Sequence, residues 1–265
     1  MTIGPVHVGI GGWTYEPWRD NFYPKGLPQA RELEYAAQQV TAIEINGTYY
    51  GTQSPATFAK WAKAVPDGFL FSVKASRFCT NRKVLAEAGE SIAKFLGQGL
   101  TELGGKLGPI LWQFMPTKKF DPEDFGSFLS LLPARQDGIA LRHAIEVRHD
   151  SFVCPEFIAL ARRHGVAIVF ADHVGYPTIA DLSADFVYAR LQHARADVAT
   201  GYDAGELDGW ARAVASWRGG HAPEDLPYVG EKMPALPARE VFLFMINGAK
   251  ERAPAAAMAL IERLD

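Results

Sequence analysis

Eight short runs along the chain are dense in β-branched, aromatic and other apolar residues. Each predicts a strand: residues 6–11, 41–46, 69–74, 109–114, 143–148, 166–172, 185–192 and 240–247. Between them the apolar positions recur every three or four residues, the spacing of a helix buried on one side. Helices are predicted over 29–39, 55–64, 81–103, 121–132, 155–164, 204–218 and 254–264. Pro55 and Pro122 suit a first turn, Asp121 suits an N-cap, and Gly104-Gly105 and Gly165 suit stops. The stretch after the sixth strand, 173–184, is too short for more than one turn of helix. Eight β/α alternations in about 250 residues predict a single parallel (β/α)₈ barrel of the TIM type over residues 1–265. A doubly wound open sheet is the alternative. It needs fewer strands, and "GIGGW" after the first strand lacks the GxGxxG spacing. The Pro-rich segment 219–239 runs from a helix back to a strand, so an irregular connection at the bottom face is expected.

Strand side chains alternate between two faces. With the most apolar positions of each strand against the helices, the others point into the barrel. These inward positions read Glu44 and Asn46; Leu70, Ser72 and Lys74; Leu111 and Gln113; Ala144, Glu146 and Arg148; Ile168, Phe170 and Asp172; Tyr188, Arg190 and Gln192; Leu243, Met245 and Asn247. The polar members gather at the C-terminal ends of the strands, where barrels of this type keep their chemistry. Burying so many ionisable groups is costly unless they are paired or used. For any one residue the alternative is a purely structural pair, Glu146 with Arg148 or Glu44 with Lys74.

Composition narrows the function classes. The chain is 48% hydrophobic and 22% charged, with a net charge of -3, so there is no global pull toward nucleic acid or an anionic membrane. Its two cysteines, Cys79 and Cys154, have no CxxC spacing, which fits a reducing cytosol. Cys79 is expected to be a bystander thiol. The N-terminus lacks the basic start and apolar core of a signal peptide, and no apolar run approaches the roughly 20 residues of a membrane span. A cytoplasmic protein without a membrane partner is expected.

Several short motifs now line up. "GIGGWTYEPWRDNFYP" resembles G-x-S/G-G-W/S-x-Y-x-x-W…FYP, "EINGTYY" resembles E-x-N-x-T-F/Y-Y, and "FSVKASRFCTN" resembles F-S-x-K…T-H. "KLGPILWQFMP" resembles L-G-x-x-L-x-Q-x-P-P, "EVRHDSF" resembles E-x-R-H-x-S-W, "VYARL" resembles Y-x-R-L-H-G, and "FMING" resembles F-N-N. Nearly end to end and in order, the chain resembles the YecE-like family, also called domain of unknown function 72. The resemblance implies a TIM-type barrel and leaves the reaction open. It also carries shared polar positions onto Glu44, Asn46, Lys74, Gln113, Glu146, Arg148 and Arg190. The chain departs at Asn81 (usually His), Gln192-His193 (His-Gly), Ile246 (Asn), Met115 (Pro) and Phe152 (Trp).

The candidate chemistry follows from the mouth. Glu44, Glu146, Lys74 and Asp172 are the catalytic candidates. The two glutamates, from strands two and five, suit an acid/base pair across a substrate, as in glycoside hydrolysis. With Asp172, His173 and His149 they could instead hold a divalent metal. The cations among them argue against that, and no cofactor is expected. Trp13, Tyr15, Asn46, Tyr49, Gln113, Arg148, Arg190 and Asn247 are expected to touch substrate, with Trp18, Phe22 and Tyr23 packing beneath them. Loops after strands seven and eight often bind phosphate in such barrels, and here they carry Arg195, Gly248 and Lys250. The sequence therefore points to a hydrolase or lyase acting on a phosphorylated or otherwise anionic sugar or nucleotide-like ligand. A nucleic-acid-processing barrel with stacking aromatics and a binding module without turnover are the alternatives.

Overall fold

A computed structural model describes residues 3–264. The expected strands form a closed parallel barrel: β1 (Val6–Gly11), β2 (Ala42–Ile45), β3 (Leu70–Lys74), β4 (Leu107–Gln113), β5 (His143–Glu146), β6 (Ala167–Asp172), β7 (Phe186–Leu191) and β8 (Glu240–Met245). Each pairs with the next, and β8 returns to β1 with Val6 beside Val241. The principal helices are α1 (Glu32–Gln39), α2 (Pro55–Ala64), α3 (Gly89–Leu96), α4 (Pro122–Ser130), α5 (Pro155–Arg163), α6 (Ala204–Arg218) and α7 (Ala253–Leu264). Local chemistry sets their starts. Asp121 accepts from the amides of Glu123 and Asp124 ahead of Pro122, and Asp203 and Glu206 form a reciprocal capping box on α6.

Three features differ from the sequence reading. The helix expected over 81–103 is broken into 3₁₀ turns at Leu85–Glu87 and Leu100–Lys106 around α3. The break follows α3 at Gly99, which sits at φ +98 with its missing Cβ only 2.7 Å from Pro55, so the turn closes onto the start of α2. Second, β6 and β8 are rotated by one position. The barrel interior takes Ala167, Val169 and Ala171, and Phe242, Phe244 and Ile246. The expected Ile168, Phe170, Leu243 and Met245 pack in the layer between barrel and helices, Phe170 against Trp210 and Trp217 of α6. Both faces of these two strands are apolar, so alternation alone carries no marker of the inner face.

The third difference is the course of 219–239. Its ends lie at the bottom, but its middle climbs the flank of the barrel. Pro227 accepts from the Ala180 amide, and the Asp181 carboxylate accepts from the amides of Val229 and Gly230. The segment thus packs against 173–184, the connection that has no helix. On the barrel floor, His7 bonds Glu240 at 2.8 Å, Arg142 pairs with the same carboxylate, and the Arg142 guanidinium lies 4.9 Å above the Phe242 ring.

Higher in the lumen, β4 carries one extra residue opposite β3, and Ser72 Oγ donates to the Pro109 carbonyl freed there, at 2.9 Å. Gly9 of β1 leaves room at this level. A Cβ on it would stand 2.1 Å from the Ala42 carbonyl oxygen and 3.2 Å from the Phe244 ring. Gly9→Ala should therefore destabilise the barrel by about 1–3 kcal/mol through overpacking. A thermal melt indistinguishable from wild type would show that the lumen is looser than described.

Candidate active site at the barrel mouth

Strand ends bring five ionic side chains to one level of the lumen. Arg190, on β7, lies between Glu44 of β2 and Glu146 of β5. Its Nε and Nη2 donate to the two Glu44 oxygens at 3.0 and 2.9 Å, and its Nη1 donates to Glu146 Oε2. Tyr188, one inward step below Arg190, donates its hydroxyl to Glu44 Oε2 at 2.7 Å and meets Ser72 Oγ at 2.7 Å. Gln113 Nε2 and Arg148 Nε both donate to Glu146 Oε1, at 3.0 and 2.6 Å. Glu44 and Glu146 are fully buried and Arg190 is 2% exposed. The two carboxylates therefore do not face each other across open space, as an acid/base pair astride a substrate would, because Arg190 fills the interval.

Burial alone would raise the Glu146 carboxyl, but Arg190, Arg148 and Lys74 outweigh it and hold it down at about 2. That carboxylate is ionised at any physiological pH and is a poor general acid. Arg190 is pushed in the opposite sense: burial opposes its charge, yet the two glutamates raise it above its ordinary range.

Lys74, the last residue of β3, is 8% exposed and is the exception in this network. Among the described residues its ammonium makes no hydrogen bond and no ion pair, since the glutamate oxygens are taken by other donors. It lies over the Tyr49 ring, whose centroid is 4.6 Å from Nζ. Burial first, then Arg190, lowers the amine to about 8, with Glu44 and Glu146 offsetting only part of this. Thr48 fixes the strand end by donating to the Lys74 carbonyl at 2.6 Å, and Asn81 donates to the Tyr49 hydroxyl at 3.1 Å. Arg148 lies just past the end of β5. Its guanidinium sits 4.4 Å over the Tyr176 ring, which stacks on His173 at 4.1 Å.

Other candidates lie elsewhere. Asp172 does not join the cluster. It bonds His193 Nδ1 at 2.9 Å and, with Tyr202, Glu206 and Trp210, lines a separate cavity of about 610 Å³ between α6 and residues 223–226. The one-position rotation of β6 explains this. Trp13 packs edge-on against Trp61 and Phe71, at 5.2 and 6.4 Å. Tyr15 packs on the buried Trp18 at 5.4 Å, and Lys250 lies 4.6 Å over its ring. Asn46 donates back to the Glu44 carbonyl at 3.3 Å, and Asn247 donates to the Gln192 side chain at 2.9 Å.

The expected anion site is not preformed. Arg195 is paired with Asp203 and Glu206, at 3.3 and 2.7 Å, and the amide of Ala249, beside Gly248, already donates to the Ala194 carbonyl. Both acids belong to the α6 capping box, whose side chains also serve Arg195. Cys79 is buried and its thiol is pushed up to about 12 by that burial. Among the described residues no group of three or more His, Cys, Asp or Glu is placed to hold a metal ion, and no helix is long and apolar enough to cross a membrane.

Sequence reading did not single out Tyr188 and Tyr176 as site residues, and it named His173 only as a possible metal ligand. Tyr188 had a signal, since it shares the inward register of Arg190. Tyr176 had none, because it sits on an irregular connection.

Comparison with known proteins agrees with this barrel. A curated relative, the UPF0759 protein YunF of Bacillus subtilis, is 24% identical over 157 residues, covering 57% of this chain. The match spans about half the length of that relative, 54%. A DUF72 family protein from Thermotoga maritima superposes with a TM-score of 0.75 at 22% identity, covering 98% of this chain and 99% of its own. Another from Enterococcus faecalis gives 0.70 at 19% identity over 99% and 98%. The sequence model described as "Protein of unknown function DUF72" matches residues 7–265, and the chain belongs to that family.

Proposed function

We propose that this barrel is an enzyme acting on a small anionic ligand, a phosphorylated or otherwise anionic sugar or nucleotide-like molecule, held at its C-terminal mouth. The observation that carries the reading is a charge imbalance. Arg190, Arg148 and Lys74 converge on two carboxylates, so the cluster holds one cation in excess while Lys74 is protonated. The excess is located at the rim: among the described residues Lys74 has no ion-pair partner, and Arg148 keeps its Nη2 without a hydrogen bond. A desolvated site with surplus positive charge favours an anion, and a guanidinium edge suits carboxylate or phosphate. With Glu146 held ionised, Lys74 is the member suited to exchange a proton near neutrality, which supports lyase-type chemistry over a carboxylate pair.

Calorimetric titration with inorganic phosphate and glycerol 3-phosphate tests the reading. Wild type should bind, and Arg148→Ala should weaken binding by about tenfold or more through loss of a charge-assisted bond. Its stability should change by about 1 kcal/mol or less, because Glu146 keeps Arg190 and Gln113. Equal binding by both proteins, or none by wild type at millimolar anion, would sink the proposal.

Lys74 gives an independent test. Its folded-state amine lies below its ordinary value of 10.5, so the fold disfavours the ammonium. Lys74→Met should then be more stable than wild type at pH 7 by on the order of 2 kcal/mol. That gain should be fully present below about pH 8 and disappear as pH rises toward 10.5. Melts of both proteins at pH 7 and pH 10.5 decide it, and a variant less stable at pH 7 would mean that the ammonium has a counter-charge after all.

A further inference from the structure

Lys74 is more than a spare cation. A residue kept only to hold an anion is better served by a guanidinium, which stays charged when buried and binds through a planar fork. Here the strand end presents an amine instead, 8% exposed, against an aromatic face and beside two guanidinium groups. Among the described residues no carboxylate is hydrogen-bonded to it: the four oxygens of Glu44 and Glu146 accept from Arg190, Arg148, Gln113 and Tyr188. A lysine desolvated next to other cations is the arrangement that supplies a neutral, nucleophilic amine near pH 7. The amine of Lys74, lowered to about 8, has an appreciable neutral fraction there.

The same surroundings suit the product of amine attack on a carbonyl. An iminium nitrogen is cationic, and Glu44 and Glu146, buried within the same cluster, favour positive charge at that position through space. Arg148 Nη2, at the rim, is open to an acidic group on the same molecule.

We propose that Lys74 is the catalytic nucleophile of this site, forming an imine with an acyclic aldehyde or ketone that also bears a carboxylate or phosphate. This rests on the reading of the mouth as an anion site and names its substrate class. The Nζ lone pair attacks the carbonyl carbon and a C–N bond forms. The carbonyl oxygen leaves as water, taking one proton from the amine and one from solvent, and leaves the iminium. That group withdraws electrons from the adjacent carbon, so the reactions it opens are cleavage or formation of a C–H or C–C bond next to the former carbonyl.

Borohydride trapping tests this directly. Wild type is incubated with pyruvate in one arm and dihydroxyacetone phosphate in the other, and each is reduced with sodium cyanoborohydride and read by peptide mass spectrometry. Hydride addition to the iminium carbon leaves a stable secondary amine. The expected result is a reductant-dependent adduct at Lys74, about tenfold above any other lysine, in at least one arm, and the active arm identifies the acidic group. Lys74→Met and Lys74→Arg should both lose it, and Arg148→Ala should lower it by about tenfold, the equivalent of one charge-assisted contact. Labelling confined to surface lysines, or unchanged in Lys74→Met, overturns the imine. Phosphate binding by calorimetry without any Lys74 adduct overturns the imine and leaves the anion site standing. An adduct at Lys74 that neither phosphate nor the Arg148 change diminishes upholds the imine and overturns the anion site.

Discussion

The placement of Arg190 between Glu44 and Glu146 governs the rest of the mouth. Taking three charges out of water costs several kcal/mol for each ion, and only near-complete hydrogen bonding offsets it. The lumen meets that demand by delivering donors from β4, β7 and the end of β5 to the oxygens of two glutamates, which ties strands far apart in sequence into one level. Two consequences follow from this saturation. The Glu146 carboxylate is held ionised and is unavailable as a proton donor. The remaining cation, Lys74, is left without a hydrogen-bonded counter-ion among the described residues. A site with every charge paired would be quieter chemically, so the proposed chemistry rests on the one group that the network leaves out.

How much of this was legible depended on whether a strand carried a polar marker. In β2, β5 and β7 the charged residues Glu44, Glu146 and Arg190 stand among apolar neighbours, and alternation assigned the inner face correctly. In β6 and β8 every position is apolar through most of the strand, and the wrong face was inferred. The lumen takes the smaller side of β6, Ala167, Val169 and Ala171, because the larger Phe170 is needed between Trp210 and Trp217 of α6. Residue volume, rather than polarity, decides the face there, and volume matching requires knowing the partner helix. The actual face of β6 takes Asp172 out of the cluster and into contact with His193.

Partners, as opposed to positions, were harder to read. That Arg190 would bridge two glutamates follows from the radius of the barrel, which sequence spacing does not encode. The loop anion site failed for a similar reason. Arg195 looked free because its neutralising groups, Asp203 and Glu206, were not read as its partners; they cap α6 and pair with Arg195 as well. Single glycines were similarly ambiguous: the long helical pattern over 81–103 hid a break that only the close approach of Gly99 to Pro55 explains.

The helix-free connection from β6 to β7 has a consequence for how such a barrel diversifies. The cluster of Glu44, Glu146 and Arg190 is fixed by strand ends and cannot change without threatening the closed sheet. Tyr176 and His173, by contrast, belong to an irregular loop whose far half is pinned by backbone contacts with 227–230. Replacing or lengthening residues 173–178 would reshape the wall beside Arg148 while leaving the anchored half and the strands intact. The fold thus separates a strand-fixed ionic cluster from a replaceable surface beside it, and it puts the division between them at a single loop.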